Sequence, residues 1–240
     1  YGSNGNDVLR DVSFSVGAGE KIGIIGSTGS GKSSLVSLIP RLYDTKEGTV
    51  YLDNHPVQAL DVRHVRNQIG YVTQQAILFS GSIATNILQG NADADVDALE
   101  DAARSGLIHD FITSTEEGYN HLVKSKGTNL SGGQKQRVSI ARALIRQPRI
   151  LILDDATSAV DLSSERLILK AIDELPYRPT LLCISQKIAT VRRMDKILVL
   201  DNNGMIDGFD THEKLLATSK VYQEIASSQL DLGGVPHEQA

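Results

Sequence analysis

The run Gly26-Ser27-Thr28-Gly29-Ser30-Gly31-Lys32-Ser33 leaves this chain few folds to choose from. It fits G-x-x-x-x-G-K-[ST], a pattern that works only between a strand and a helix. Glycines let successive backbone N–H groups turn inward around an anion with no Cβ in the way. The helix that follows adds unpaired donors and partial positive charge at its start. Lys32 is placed to reach β- and γ-phosphates, and the Ser33 hydroxyl to sit on Mg²⁺. The flanks agree: Lys21 to Ile25 reads as a buried strand, and Ser34 to Arg41 as a helix that Pro40 brings to an end. The pattern implies that a nucleoside triphosphate binds along Gly26, Ser27, Thr28, Gly29, Ser30, Gly31, Lys32, Ser33 and Ser34.

The rest of the chain supplies a sheet for that loop. Val12, Phe14 and Val16 alternate with polar residues and read as a half-buried strand. Thr49 to Leu52 and Ile69 to Val72 read as strands, with a turn at Asp53 to Pro56 between them. From Ser82 to Ile112 the apolar spacing becomes helical, with Asp93 or Asp95 as a cap for its second piece. Gly118 to Asn129 reads as loop. A long helix runs from Ser131 to Arg146, Ile150 to Leu153 is a continuous apolar strand, and Ser163 is placed to cap a helix reaching Leu175. Leu181 to Ile184 and Ile197 to Leu200 are further buried strands, and Asn203-Gly204 is a hairpin turn. Strands alternating with helices predict an α/β fold of the P-loop NTPase type. Its sheet is mostly parallel and flanked by helices, with an N-terminal antiparallel β-region and a mainly helical insert. The expected organisation is a core lobe over 1–72 and 130–229, an insert over 73–129 and a polar tail over 230–240.

Composition narrows the partners. At 240 residues with 40% hydrophobic content, the chain can bury a sizeable core. A net charge of −5 offers no strong basic field for nucleic acid. The one cysteine, Cys183, cannot form an internal disulfide and lies in an apolar strand. No apolar run approaches the roughly 20 residues that span a bilayer. Because the chain starts at Tyr1 rather than Met, it is read as a piece of a longer polypeptide.

Leu151-Ile152-Leu153-Asp154 is an apolar strand ending in a carboxylate, which would lie beside the loop strand and hold Asp154 near Mg²⁺, directly or through water. Leu130-Ser131-Gly132-Gly133-Gln134 is a second anion site in its own right: two glycines free backbone N–H groups at a helix start, and Ser131 adds a hydroxyl. With this run the chain resembles the nucleotide-binding domain of ABC transporters, whose signature is LSGGQ. The resemblance covers nearly the whole chain. It implies ATP and Mg²⁺ as ligands, Tyr1 as the aromatic that stacks on adenine, and Gln74 as the Q-loop residue that touches Mg²⁺ and the membrane domains. It places Asp161 in the D-loop and has the signature close over ATP held by a second nucleotide-binding domain. Transmembrane domains of the same transporter and a position at the cytoplasmic face of the membrane follow from the same resemblance. Gly127 to Arg137 and Thr211-His212-Glu213 resemble the exporter branch.

Three departures from the family pattern matter. The catalytic carboxylate after the metal-binding Asp is usually Glu and is Asp155 here. The switch histidine after the next apolar strand is replaced by Gln186, and none of the six histidines stands at that position. Ser125 replaces an acid in the loop ahead of the signature. Asp pulls its carboxylate back by about 1.5 Å, one bond length, and misplacement of about 1 Å can cost about 10²-fold in rate. Gln hydrogen-bonds phosphate but carries no proton or charge as His does. This pattern resembles the degenerate half of heterodimeric bacterial multidrug exporters. It predicts a site that binds ATP and hydrolyses it slowly, while the signature serves a competent partner. The competing readings are a non-hydrolysing regulatory module and a soluble ABC ATPase. Drug, lipid and peptide all remain open as transported substrates.

Overall fold

The computed structural model describes residues 7–231. Tyr1, His237 and most of the 230–240 tail lie outside the described residues. The chain enters through an extended segment in which Val12, Phe14 and Val16 are half-buried and the serines between them exposed. The alternation expected there is present, but the segment forms no strand ladder. Phe14 instead packs edge-on against Phe209, with ring centroids 5.6 Å apart.

Strand β1 (Lys21–Gly26) delivers the chain to helix α1 (Lys32–Leu38). The helix stops short of the expected Arg41: Ile39 keeps helical backbone, but Pro40 brings no N–H to continue the ladder, and Arg41 then turns to φ +50°. A tight hairpin of β2 (Tyr51–Leu52) and β3 (His55–Pro56) follows, turned by Asp53 and Asn54 at positive φ, and supplies the antiparallel pairing of this region. Helix α2 (Val62–Asn67), capped by Asp61, leads into β4 (Ile69–Val72).

Short strands β5 (Gly81–Ser82) and β6 (Leu122–Val123) pair antiparallel and clasp a helical stretch. That stretch is α3 (Ile83–Leu88), α4 (Val96–Ser105) and α5 (His109–Ser114). Asp95, not Asp93, caps α4 by accepting from the Ala98 N–H. The residues 118–129 read as loop thus contribute β6 and two turns of 3₁₀ helix.

Helix α6 (Gly132–Leu144) is followed by β7 (Ile150–Asp154), α7 (Leu162–Asp173), β8 (Thr180–Ile184), α8 (Ile188–Val191) and β9 (Lys196–Leu200). The chain closes with β10 (Ile206–Asp210), α9 (His212–Thr218) and α10 (Lys220–Asp231). Helix α6 ends before Arg146 because Gln147 turns to φ +48° ahead of Pro148. The cap of α7 is Asp161 rather than Ser163. Its carboxylate accepts from the Ser164 N–H at 2.9 Å and from both serine hydroxyls, a combination that holds it ionised well below the usual carboxylate range.

The main sheet runs β10-β9-β1-β8-β7-β4, parallel throughout except for the antiparallel edge strand β10. Side-chain alternation divides its core. Ile22, Ile24, Ile152, Leu182 and Ile184 pack on the α1 side. Leu151, Leu153, Leu181 and Cys183 point to the face covered by α6 and α7. The α6 helix has two buried faces: Ile140 and Leu144 meet the sheet, while Val138, Ala141 and Ile145 join Ile83, Ile87, Leu99 and Ile112 in a separate cluster. The signature residues therefore sit at the start of a helix wedged between two apolar cores.

Candidate functional site

The phosphate loop leaves β1 at Gly26, whose φ is +155° and where a Cβ would lie 2.4 Å from the Leu200 carbonyl oxygen. Gly31 opens α1 at φ +95°, and a Cβ there would meet Leu9 Cδ2 at 2.8 Å. Both positions need glycine for conformation, and Gly26 needs it for space as well. Lys32 is only 8% exposed. Its Nζ donates to the carbonyls of Gly26 (2.9 Å) and Ser27 (2.7 Å) and to Ser30 Oγ (3.4 Å). Burial pulls its pKa down, and the charges of Asp155 and Asp154 push it back up. Among the described residues, no acceptor meets the backbone N–H groups of Gly29, Gly31, Lys32 or Ser33. A concave run of free donors over a buried ammonium is a built anion site. Asn202, beyond β9, also reaches the loop and accepts from Ser27 Oγ.

Contrary to expectation, the strand ending in Asp154 is not the loop strand's neighbour: β7 pairs with β8, β8 pairs with β1, and Asp154 reaches α1 across the intervening strand. Ser33 Oγ donates to Asp154 Oδ1 at 2.8 Å, and the Tyr71 hydroxyl donates to Oδ2 at 3.0 Å. A hydroxyl and a carboxylate converging at the mouth of an anion site is the hard, oxygen-only donor set that suits Mg²⁺, which binds through few protein groups plus substrate phosphates. Ser33 and Asp154 therefore fit the ion, which when bound would neutralise phosphate charge.

Asp155 adopts φ +49°, with its N–H bonded to Ile184 O at 3.1 Å. Burial raises its carboxyl pKa, and a hydrogen bond from Gln74 works against that rise. Gln74 Nε2 donates to Asp155 Oδ2 at 3.0 Å, so Gln74 stands on the second carboxylate rather than on the Ser33–Asp154 pair. Gln186 is exposed just past β8. Its carbonyl accepts from Gln229 Nε2 at 2.6 Å, while among the described residues its side chain has no hydrogen-bond partner.

The second glycine site is exposed where the first is partly enclosed. Leu130 is buried in the insert-side cluster, which anchors the run, while Ser131 and Gly132 are exposed. Ser131 Oγ accepts from the Gln134 N–H at 3.2 Å, and Gln134 Oε1 accepts from the Ser131 N–H at 2.8 Å. This capping box uses two of the terminal donors and leaves those of Gly132 and Gly133 with no acceptor among the described residues. Asp161 lies close in the fold: Gly133 approaches Val160 and Ala159, just ahead of it.

The sequence pattern of the family described as "ABC transporter" matches residues 9–158, more than half of the chain. The chain belongs to the ABC transporter family. The family's domains bind ATP, typically with Mg²⁺, and hydrolyse it in step with transport. This ABC domain is 47% identical over 234 residues to YfiB of Bacillus subtilis, named an uncharacterized ABC transporter ATP-binding protein, covering 98% of this chain and 40% of that one. It is 41% identical over 229 residues to YgaD of Bacillus subtilis, named a putative multidrug export ATP-binding/permease protein, covering 95% and 39%. The structure of a bacterial Atm1-family ABC exporter with ATP bound superposes with a TM-score of 0.91 at 35% identity, covering 96% of this chain and 41% of that one. The chain thus spans about two-fifths of the length of these relatives, and it is an ABC transporter ATP-binding domain homologous to proteins named as exporters. Among the described residues of the ABC domain, no helix is long and apolar enough to cross a membrane.

Three site neighbours escape a reading of motifs. Tyr71 is one position in an ordinary strand, Asn202 sits in a polar turn, and Lys187 is an exposed-looking cation. Only strand order shows that they converge on Asp154, the phosphate loop and Asp155.

Proposed function

We propose that this ABC domain binds MgATP on its own phosphate loop, hydrolyses it slowly, and lends its signature to the ATP of a second nucleotide-binding domain. The observation that carries the reading is the contrast inside one site. Lys32, Ser33 and Asp154 form a complete phosphate and cation cradle. Asp155 and Gln186 stand where the reaction needs a longer carboxylate and an ionisable ring.

The residues divide the work as follows. Backbone donors of Gly29, Gly31, Lys32 and Ser33 hold the phosphates, and Lys32 balances their charge. Ser33 and Asp154 hold the cation, with Gln74 spanning from the neighbouring segment to Asp155. Asp155 is the group to accept a proton from attacking water. Burial makes it a better base, but one methylene less of reach places it about 1.5 Å short. Gln186 donates to phosphate without moving a proton. Tyr1, outside the described residues, is assigned to the adenine, and Asp161 to the contact between the two domains.

On this reading the protein is half of an asymmetric pair in an exporter, joined to transmembrane domains, with this domain at the cytoplasmic face. The core lobe comprises 1–72 and 130–229, and the 73–129 insert carries closure to the membrane domains. Names of export proteins among the relatives, and a signature that is intact although its own site lacks the usual base, support it.

The test measures MgATP binding and hydrolysis in parallel on the unmodified chain and on Asp155→Glu combined with Gln186→His. Expected is binding with slow turnover, then a rise in kcat of about 10²–10⁴-fold in the double variant. Brisk turnover by the unmodified chain overturns the proposal.

A further inference from the structure

Glu165, in the first turn of α7, is a carboxylate almost without solvent at 2% exposure. Its Oε1 accepts from Thr157 Oγ1 at 2.7 Å and from Thr190 Oγ1 at 2.8 Å, and its Oε2 accepts from Lys187 Nζ at 2.9 Å. Not one of these donors belongs to its own helix. An acid in a first turn is favoured by the helix dipole at the surface, so helix stability alone does not call for burial or for three outside partners. Burying a carboxylate is costly unless such donors meet it, and removing it leaves two hydroxyls and an ammonium without this acceptor.

Two of the three donors adjoin the reacting groups. Thr157 stands two residues after Asp155, and Lys187 directly follows Gln186. Asp155 is held in a left-handed conformation that a non-glycine residue keeps only when its surroundings impose it. Its carbonyl accepts from the Ser158 N–H at 3.1 Å and from Ser158 Oγ at 2.8 Å, one residue past Thr157. The segment after Gln186 is gripped from the other side by Gln229 of α10, whose Oε1 accepts from the Ile188 N–H at 2.9 Å. The Lys187 charge also acts on Asp155. The pair with Glu165 therefore sets where a cation stands relative to that carboxylate.

We propose that Glu165 is a positioning residue for this site: through Thr157, Thr190 and Lys187 it locks the segment carrying Asp155 to the segment carrying Gln186. The inference rests on the proposed roles of Asp155 and Gln186, and it makes any recovered hydrolysis depend on a residue that touches neither substrate nor water.

The experiment compares Glu165→Gln and Thr157→Val in the Asp155→Glu, Gln186→His background and in the unmodified chain. Thr157→Val removes one donor without leaving a charge unpaired. In the active background kcat for MgATP falls about 10–100-fold with Glu165→Gln and less with Thr157→Val, while KM stays within about twofold. In the unmodified chain, amide exchange at Asp155 and Lys187 speeds up while the amides of β1 keep their protection. Unchanged kcat, or a loss that only tracks the folded fraction with exchange rising evenly across the sheet, overturns the inference. If the active background shows no turnover, the proposed function fails, and the exchange pattern alone decides the role of Glu165: local loosening supports it, and uniform or absent loosening overturns it.

Discussion

The two glycine-rich loops use the same chemistry and are finished to different degrees. At Gly26–Ser33 the surroundings complete the site. Lys32 is buried under the loop, Asp154 is fixed by Ser33 and Tyr71, and Asn202 reaches in from beyond β9. At Leu130–Gln134 the described residues supply an anchored Leu130, a capping box and Arg137, whose Nε donates to the Gly133 carbonyl at 3.3 Å, while Ser131 and Gly132 are exposed. A loop whose charge partners all lie within the chain can hold an anion alone. A loop with free donors and no buried cation needs a second body to bring the anion to it.

Substitutions can break this comparison. Lys32→Met removes the buried ammonium and weakens MgATP binding by about 10²-fold or more, measured by equilibrium titration. Ser131→Ala leaves binding at the chain's own loop within about twofold, yet it costs about 1 kcal/mol of stability through the lost cap, read in denaturant unfolding. Equal losses of ATP binding from both variants would erase the distinction between the loops.

The pair Asp154 and Asp155 sharpens it. Burial raises the Asp155 carboxyl pKa in the folded chain above its ordinary 3.8. The folded state therefore holds that proton more tightly than the unfolded state. The group's stabilising contribution is full below the ordinary value and is lost as pH rises through the raised one. At neutral pH an ionised Asp155 opposes folding. Asp155→Asn should raise Tm by about 1–3 °C at about pH 7 and by less at about pH 3. A lower Tm at neutral pH would mean that the Gln74 contact outweighs desolvation.

The smallest expected effect concerns Cys183. It is 1% exposed, and its thiol is pushed up to about 12, first by burial and then by the charges of Glu165 and Asp155. Thiol reagents at about pH 8 should leave it unlabelled in the folded chain and modify it only under denaturant. Rapid native labelling would reveal opening of β8, the strand that ends just ahead of Gln186.

Much of this was legible in particular residues. Apolar runs marked β1, β7, β8 and β9 because strands buried on both faces need no alternation. The alternation of Val12, Phe14 and Val16 correctly reported one buried side, but burial against Phe209 requires no ladder partner. Ser163 and Asp161 are both able caps, and the choice fell to the residue whose carboxylate takes the N–H of Ser164 and both serine hydroxyls. Gln74 and Asp155 were each readable as site residues. Their 3.0 Å hydrogen bond was not.

What belongs to the sequence alone is local. Glycine spacing, a lysine and a hydroxyl in one turn, a carboxylate ending an apolar strand, and a serine three residues ahead of Gln134 act through neighbouring backbone, so their order along the chain is their geometry. So is the substitution at Asp155 and Gln186, because each is a position within such a run. The strand order β10-β9-β1-β8-β7-β4 belongs to the tertiary structure. It decides that Tyr71 meets Asp154, that Gln74 meets Asp155, and that Glu165 receives Thr157, Thr190 and Lys187. Apart from Thr157, which stands eight residues before Glu165, those contacts join segments far apart in the chain. Their positions are set by how apolar faces pack into a common core, and hydrophobic burial carries no record of sequence order.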